Sequence, residues 1–218
     1  LFQNQKEIND WIAAGNGIYQ ADVKPGDVKY VDVNHDGVIN ASDKVDLGNG
    51  LPKYTFGFNF SLAWKGFDLS ANFTGAAGFQ IAQSYRDPSS SQANYSRRIL
   101  KRWTGEGTSN EIPRVTYGDV GNWLFSDLYL QDGDYIRLQN LTMGYDFKKL
   151  ISWKGLSKMR LYFQVQNLFT LTKYDGMDPE IGSFNGTDGN SSDSWVSGVD
   201  MGYYPHPRTF IVGLNLAF

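Results

Sequence analysis

One stretch limits the fold more than any other: Tyr54–Phe73, YTFGFNFSLAWKGFDLSANF. In its first arm Tyr54, Phe56, Phe58, Phe60, Leu62 and Trp64 alternate with Thr55, Gly57, Asn59, Ser61 and Ala63. Period-two alternation marks a strand with one apolar face. That face carries five aromatic rings in eleven residues, and its opposite face carries nothing large. A core strand of a soluble sandwich seldom offers so many rings on one side. A strand facing lipid can, because its apolar side meets a solvent and not a jigsaw of neighbours. Eleven residues also suits a tilted crossing of a bilayer. After Lys65-Gly66 a second arm continues with Phe67, Leu69, Ala71 and Phe73 opposite Asp68, Ser70, Asn72 and Thr74. Two such arms on a two-residue turn read as a membrane-barrel hairpin.

Composition narrows the rest. The 218 residues suffice for one sizeable domain or two small ones. A net charge of -3 gives no reason to expect a nucleic-acid partner. Cysteine is absent, which excludes disulfides, thiolate metal sites and thiol nucleophiles. No apolar run is long enough for a transmembrane helix. The negative mean hydropathy is compatible with a membrane barrel, where half of each strand faces a wet lumen. The 24 glycines and 15% aromatic content favour an all-β chain with many turns. The chain opens at Leu1 without a signal peptide although its strands suit an exported protein, so a fragment or processed piece is expected.

Before the hairpin, residues 4–14 read as a short helix capped by Asn4, with Glu7 completing a capping box, Ile8, Trp11 and Ile12 on one face, and Gly15 at its end. A loop follows, with a turn signal at Pro25-Gly26-Asp27. The sharpest local motif is Asp32–Asp43, DVNHDGVINASD. It matches the twelve-residue EF-hand loop: oxygen side chains from Asp32, Asn34, Asp36, Asn40 and Asp43, a carbonyl from Val38, and Gly37 at the sharp turn. A hard cation needs about six oxygens wrapped by one tight turn. Ile39 takes the apolar-anchor position, and His35 is expected to point outward. The last ligand position holds Asp in place of the bidentate Glu of helix-loop-helix sensors, closer to the calcium loops of dockerin modules. The expectation is a structural calcium ion; the bland alternative is an Asp/Asn/Gly-rich turn that binds nothing.

After the hairpin a long irregular segment runs over about 79–125. It includes an expected basic helix, Tyr95–Trp103, readable as a solvated face or as a surface for lipopolysaccharide phosphates or an acidic partner. Strand character returns in Tyr129–Phe147. Ile136 and Leu138 sit on the opposite parity from Leu141, Met143, Tyr145 and Phe147, so a bulge or an exit from the bilayer is expected near Gln139. Arg160–Tyr174 is another strand, where Asn167 interrupts the apolar face without an evident reason. A second long loop, 175–207, contains the low-complexity Gly182–Ser194, and Arg208–Phe218 alternates to the end.

Connections thus alternate: 65–66 short, 79–125 long, 148–158 short to medium, 175–207 long. Outer-membrane barrels pair short periplasmic turns with long extracellular loops. The expected architecture is therefore all-β, an antiparallel transmembrane β-barrel of which this chain supplies the last five or so strands. Residues 1–52 would form an extracellular region with the helix and the calcium-like loop 32–43, and residues 53–218 the strands and their outer loops. The short turns and Phe218 would lie on the periplasmic side. Five strands cannot close a barrel.

The combination of motifs becomes specific across 26–78, GDVKYVDVNHDGVINASDKVDLGNGLPKYTFGFNFSLAWKGFDLSANFTGAAG. It continues with ILKRWTGEGTSNEIPRV (99–115), LYLQDGDYIRLQNLTMGY (128–145) and LYFQVQNLFTLTKYDGMDPE (161–180). In this order they resemble the C-terminal region of SusC/RagA-family TonB-dependent transporters of Bacteroidetes. The resemblance implies a complete barrel of about 22 strands in the outer membrane, with an N-terminal plug and a TonB box. It implies a SusD-like surface lipoprotein as partner, import of glycans or peptides for nutrient uptake, and energy from the TonB system. The plug and TonB box are not in this sequence, and no ligand-contacting residue carries over by motif.

Other chemistry finds little footing. The two histidines, His35 and His206, form no triad pattern, and there is no phosphate loop or HExxH site. Glu106, Glu111 and Glu180 are isolated loop acids, so no enzyme is expected. Asn59, Asn72 and Asn140 fall at lumen-facing positions and read as pore-lining amides. Trp123, Trp195, Tyr203 and Tyr204 could stack on sugar rings, or pack and anchor as aromatics usually do. The alternative function is a secreted calcium-binding β-domain acting as a dockerin-like interaction module, which would need a second calcium-loop repeat with helices.

Overall fold

A computed structural model describes residues 1–84, 95–116, 118, 120–151, 153–181 and 198–218. Its elements are α1 (Gln5–Ala13), β1 (Tyr54–Trp64), β2 (Phe67–Ala77), β3 (Gln80–Gln83), β4 (Leu130–Asp132), β5 (Tyr135–Asp146), β6 (Lys158–Thr172), β7 (Val199–Asp200) and β8 (Thr209–Ala217), with short 3-10 turns between them. Two compact units form: residues 1–47 with 84–130, and residues 48–83 with 131–218.

The second unit is built on an open antiparallel sheet ordered β1-β2-β5-β6-β8. The sequence alternation survives intact in its register. Trp64, Phe67, Tyr145, Leu161 and Leu214 lie in one row across the five strands, and Leu62, Leu69, Met143, Phe163 and Val212 in another. The opposite face carries Ser61, Ser70, Thr142, Gln164 and Ile211 in one row. Another row there runs Asn59, Asn72, Asn140, Gln166 and Thr209, so the three asparagines share a level on the polar face. Phe58, Phe60 and Trp64 are 59%, 42% and 65% exposed, so the aromatic face has no protein cover. Lys65 and Gly66 turn the hairpin with φ of 48° and 93°, the left-handed pair of a two-residue turn whose twist matches the strands.

The expected bulge is present. Between Phe73/Leu138 and Asn72/Asn140 the register slips by one residue, Gln139, which resets the parity of β5. On the other side Gln139 opposes the β6 stretch between Gln166 and Phe169. This accounts for Asn167: its φ of 52° is the left-handed conformation that Asn tolerates, and its side-chain amide donates to Pro207 O at 3.0 Å. The residue that breaks the apolar pattern is part of the irregularity.

Two glycines make room on the polar face. Arg160 crosses over Gly144 of the middle strand to pair with Asp68 on β2, with Nε at 2.8 Å from the carboxylate; a Cβ on Gly144 would lie 2.6 Å from Nε. The ring of Tyr162 lies across Gly213 in the same manner.

The stretch 79–125 is not wholly irregular. Residues 80–83 form β3, which joins a small second sheet ordered β4-β3-β7. Ala76, Phe79, Ile81 and Tyr174 make the unit's buried apolar cluster. The Tyr174 hydroxyl donates to the fully buried Asp200, which also accepts from the amides of Gly202 and Tyr203. On the polar face of β5, Arg137 is 2% exposed. It donates to Thr170 at 3.0 Å, to Glu180 at 2.9 Å and to Asp178. Asp178 in turn accepts from the amides of Glu180 and His206 and contacts the His206 ring. Residues near both ends of the second long loop are thus tied to one strand.

In the first unit, Asn4 caps α1 by accepting from Glu7 N at 2.9 Å, as expected; the reciprocal bond runs to Gln3 N and not to Asn4. Ile8 is buried, Trp11 half-buried and Ile12 exposed, so the docking face is narrower than the periodicity suggests. Trp11 and Phe2 meet edge to face, with Lys29 above both rings. The unit's polar centre is Asp27, fully buried, which takes two bonds from Arg114 and one from Asn122. The expected helix at 95–103 reduces to a 3-10 turn, Arg97–Lys101, whose N-terminus has no side-chain cap. Trp103 is held by Ile112 O and Gln3.

Burial works against charge on Asp178. The amides of Glu180 and His206, the His206 ring and Arg137 outweigh it and hold the carboxyl below its ordinary range. Because the folded value is depressed, this stabilisation is present above the unfolded value of about 3.9 and is lost as pH falls through the folded one. Asp178→Asn leaves Arg137 buried with one anionic partner and should cost about 3 kcal/mol locally. Hydrogen exchange of residues 174–181 in the complete protein reads this as faster exchange in the variant, and in the wild type below pH 4. Unchanged protection would refute it.

Candidate functional site

The stretch 32–43 folds as a turn organised by its own acids. Asp32, 2% exposed, accepts from Asp36 N at 3.2 Å and Gly37 N at 2.7 Å. Asn34 Oδ1 takes Asp36 N at 3.0 Å, and Asp36 Oδ1 takes Val38 N at 2.9 Å. Asp43 closes the loop from the far end, accepting from Val33 N at 2.9 Å and Asn40 N at 2.7 Å. Asn40 caps the 3-10 turn Ala41–Asp43 in a reciprocal box with Asp43. The Asn40 amide, chief among these donors, holds the Asp43 carboxyl below its ordinary range. Gly37 has φ of 80° and His35, exposed, has φ of 59°, so the sharp turn falls where the motif places it.

The six residues expected to bind calcium all lie in this one turn, and their donors are all oxygens, the kind a hard cation takes. Its carboxylates are spent on backbone amides, and among the described residues no three acidic or imidazole side chains converge as a metal cage. The loop is seated by a glycine outside the motif. A Cβ on Gly17 would lie 2.9 Å from Ile39 N and 3.0 Å from Gly37 O, so the backbone past the end of α1 lies directly against the turn.

The second candidate is the polar face of the large sheet. Gln164 donates to Asn140 at 3.2 Å, and the ion pair of Arg160 with Asp68 and the cluster around Arg137 lie on the same side. Alternation placed the amides but not the charged pairs. Arg160 could have been matched to Asp68 only by knowing which strands adjoin. Of the loop aromatics, Trp123 is half-buried and stacked on Tyr129 at 6.1 Å, while Tyr203 is half-buried and Tyr204 85% exposed. Trp195 and the low-complexity stretch lie outside the described residues.

Gly17→Ala pushes a methyl into backbone and should destabilise the loop by about 1–3 kcal/mol. The amides of Asp36 and Gly37 would then exchange faster with solvent in the complete protein. Retained protection would show that the loop does not rest on this contact.

No protein-family model matches the chain. It is 34% identical over 206 residues to TonB-dependent receptor P3 of Formosa agariphila, covering 94% of this chain and 20% of that protein. It is 29% identical over 205 residues to the TonB-dependent receptor SusC of Bacteroides thetaiotaomicron, covering 92% of this chain and 18% of that protein. The chain thus spans about a fifth of the length of these relatives. Among solved structures, the RagAB peptide transporter shares the fold with a TM-score of 0.59 at 24% identity, over 78% of this chain and 18% of that one. These relatives are named as receptors and transporters, and the docking-module alternative finds no support among them. The chain belongs with the SusC/RagA-like TonB-dependent transporters, as a segment of one.

Proposed function

We propose that this chain is part of the wall of an outer-membrane barrel that imports oligosaccharides or peptides. The observation that carries the reading is the two-faced sheet: one side bare and aromatic, the other polar, with both outer strands open to further pairing. In this reading the aromatic face meets lipid and the polar face, with its row of three asparagines, lines the passage, because only a closed barrel satisfies every backbone group of a spanning sheet. The Lys65-Gly66 turn sits on the periplasmic side, and the long connections and the 32–43 loop face outward. A plug and TonB-coupling segment come from the remainder of the protein, and a SusD-like lipoprotein covers the outer mouth. The work done is gated passage and not catalysis.

This chain has no cysteine of its own, so with any cysteine elsewhere in the protein replaced the two faces are directly testable. Single cysteines at Asn59 and Ser61 of the complete transporter should react with a water-soluble maleimide. Cysteines at Phe58 and Phe60 should resist it, while a fluorophore there is quenched by lipid-borne nitroxide. Equal labelling on both faces would sink the barrel reading.

Calcium belongs to the same proposal. Asp32, Asn34, Asp36, Asn40 and Asp43 with the Val38 carbonyl would hold one ion, and the ion would supply cross-links between the two ends of the loop. The support is the complete oxygen set and the glycine turn. Calorimetric titration of the complete protein with calcium should show a site that Asp36→Ala weakens at least tenfold. An isotherm indifferent to that change removes the ion from the account.

A further inference from the structure

We propose that the tight-turn end of the five-stranded sheet docks anionic phospholipid head groups. At this end the aromatic face closes on Trp64 and Phe67, neighbours in register, with Tyr145 next to them at 5.2 Å from Phe67. The strip continues through Phe147, and Trp153 meets Phe218 edge-on at 6.3 Å. Trp64, Trp153 and Phe218 are 65%, 61% and 81% exposed. Large amphipathic rings at the end of an apolar band are suited to the level of lipid glycerol and carbonyl groups.

Cations fringe this strip. The left-handed turn puts Lys65 at the tip of the hairpin, and its Nζ folds back to 4.7 Å above the Trp64 ring, on the aromatic side. Lys148 Nζ donates to Trp153 O at 2.7 Å, which carries its charge to the second tryptophan, and Lys154 follows directly. None of the three forms an ion pair with a described carboxylate. Of the side-chain acids nearby, Asp68 holds Arg160, and Asp146 accepts from the backbone amides of Lys148 and Met159, one negative charge against three lysines. At the other end of the strands Lys173 lies 3.8 Å from Asp132. Ammonium groups without an ion-pair partner beside exposed indoles fit a phosphate above an acyl chain, and their net positive charge selects an anionic lipid over a zwitterionic one. The assignment to phospholipid, and not to lipopolysaccharide, rests on the orientation proposed above.

The test is native mass spectrometry of the complete transporter released from nanodiscs of equal phosphatidylglycerol and phosphatidylethanolamine. Wild type should retain phosphatidylglycerol preferentially. The triple variant Lys65→Gln, Lys148→Gln, Lys154→Gln should lose that preference by about fivefold for each lysine engaged, with thermal unfolding unchanged. The corresponding triple Lys→Arg variant should keep it. Equal retention of both lipids by wild type, or a preference that survives the glutamine variant, overturns the proposal. Selective loss of co-purified lipopolysaccharide from the glutamine variant also overturns it, by putting this end at the opposite surface. The cysteine-labelling pattern is independent of these outcomes, so the barrel reading can stand when the lipid site falls.

Discussion

Everything in the larger unit depends on one constraint: backbone pairing fixes the level of each residue, and side-chain parity fixes its face. With ladders running from β1 to β8, a residue has no choice about its neighbours. A single frame shift would turn the rings of Phe58 and Phe60 onto the polar face and Asn59 onto the apolar one. The sheet tolerates one slip, at Gln139, and absorbs it with a left-handed Asn167 tethered to Pro207.

The polar face shows how charge is accommodated on a wall of short side chains. Arg160 reaches Asp68 because Gly144 leaves a groove across the intervening strand. Arg137 is more deeply placed, and its burial is matched by two carboxylates and a hydroxyl. Removing one member of such a group leaves a buried charge short of partners, which costs more than the group adds when complete. The cluster is best regarded as a joint between the sheet and the residues that border its second long connection.

Much of this was legible in the sequence, and the reasons for the gaps are physical. The five long strands, the turn at Lys65-Gly66 and the bulge near Gln139 follow from period-two patterns, which are local. The loop at Asp32–Asp43 was legible because its ligand spacing is local as well. Short strands such as β3 and β7 have too few residues to show a period, so β3 lies hidden inside a stretch whose composition is that of a loop. The basic stretch at 97–101 has helical composition, but with no N-terminal cap it forms only a single tight turn. Pairs such as Asp27 with Arg114, or Arg137 with Asp178, join residues distant in the chain. No spacing rule reports them.

The smaller unit is assembled from two stretches, 1–47 and 84–130, with the β1–β2 hairpin and β3 between them. Its central contacts span the interruption: Asp27 to Arg114, Gln20 to Asn122, Gln3 to Trp103. The buried polar groups of residues 1–47 therefore find their partners only on the far side of the hairpin and β3 in the sequence. Closing so long a loop carries an entropic cost and slows folding. Neither stretch can complete the smaller unit alone, so its buried polar groups are satisfied only when residues far apart in the chain have met.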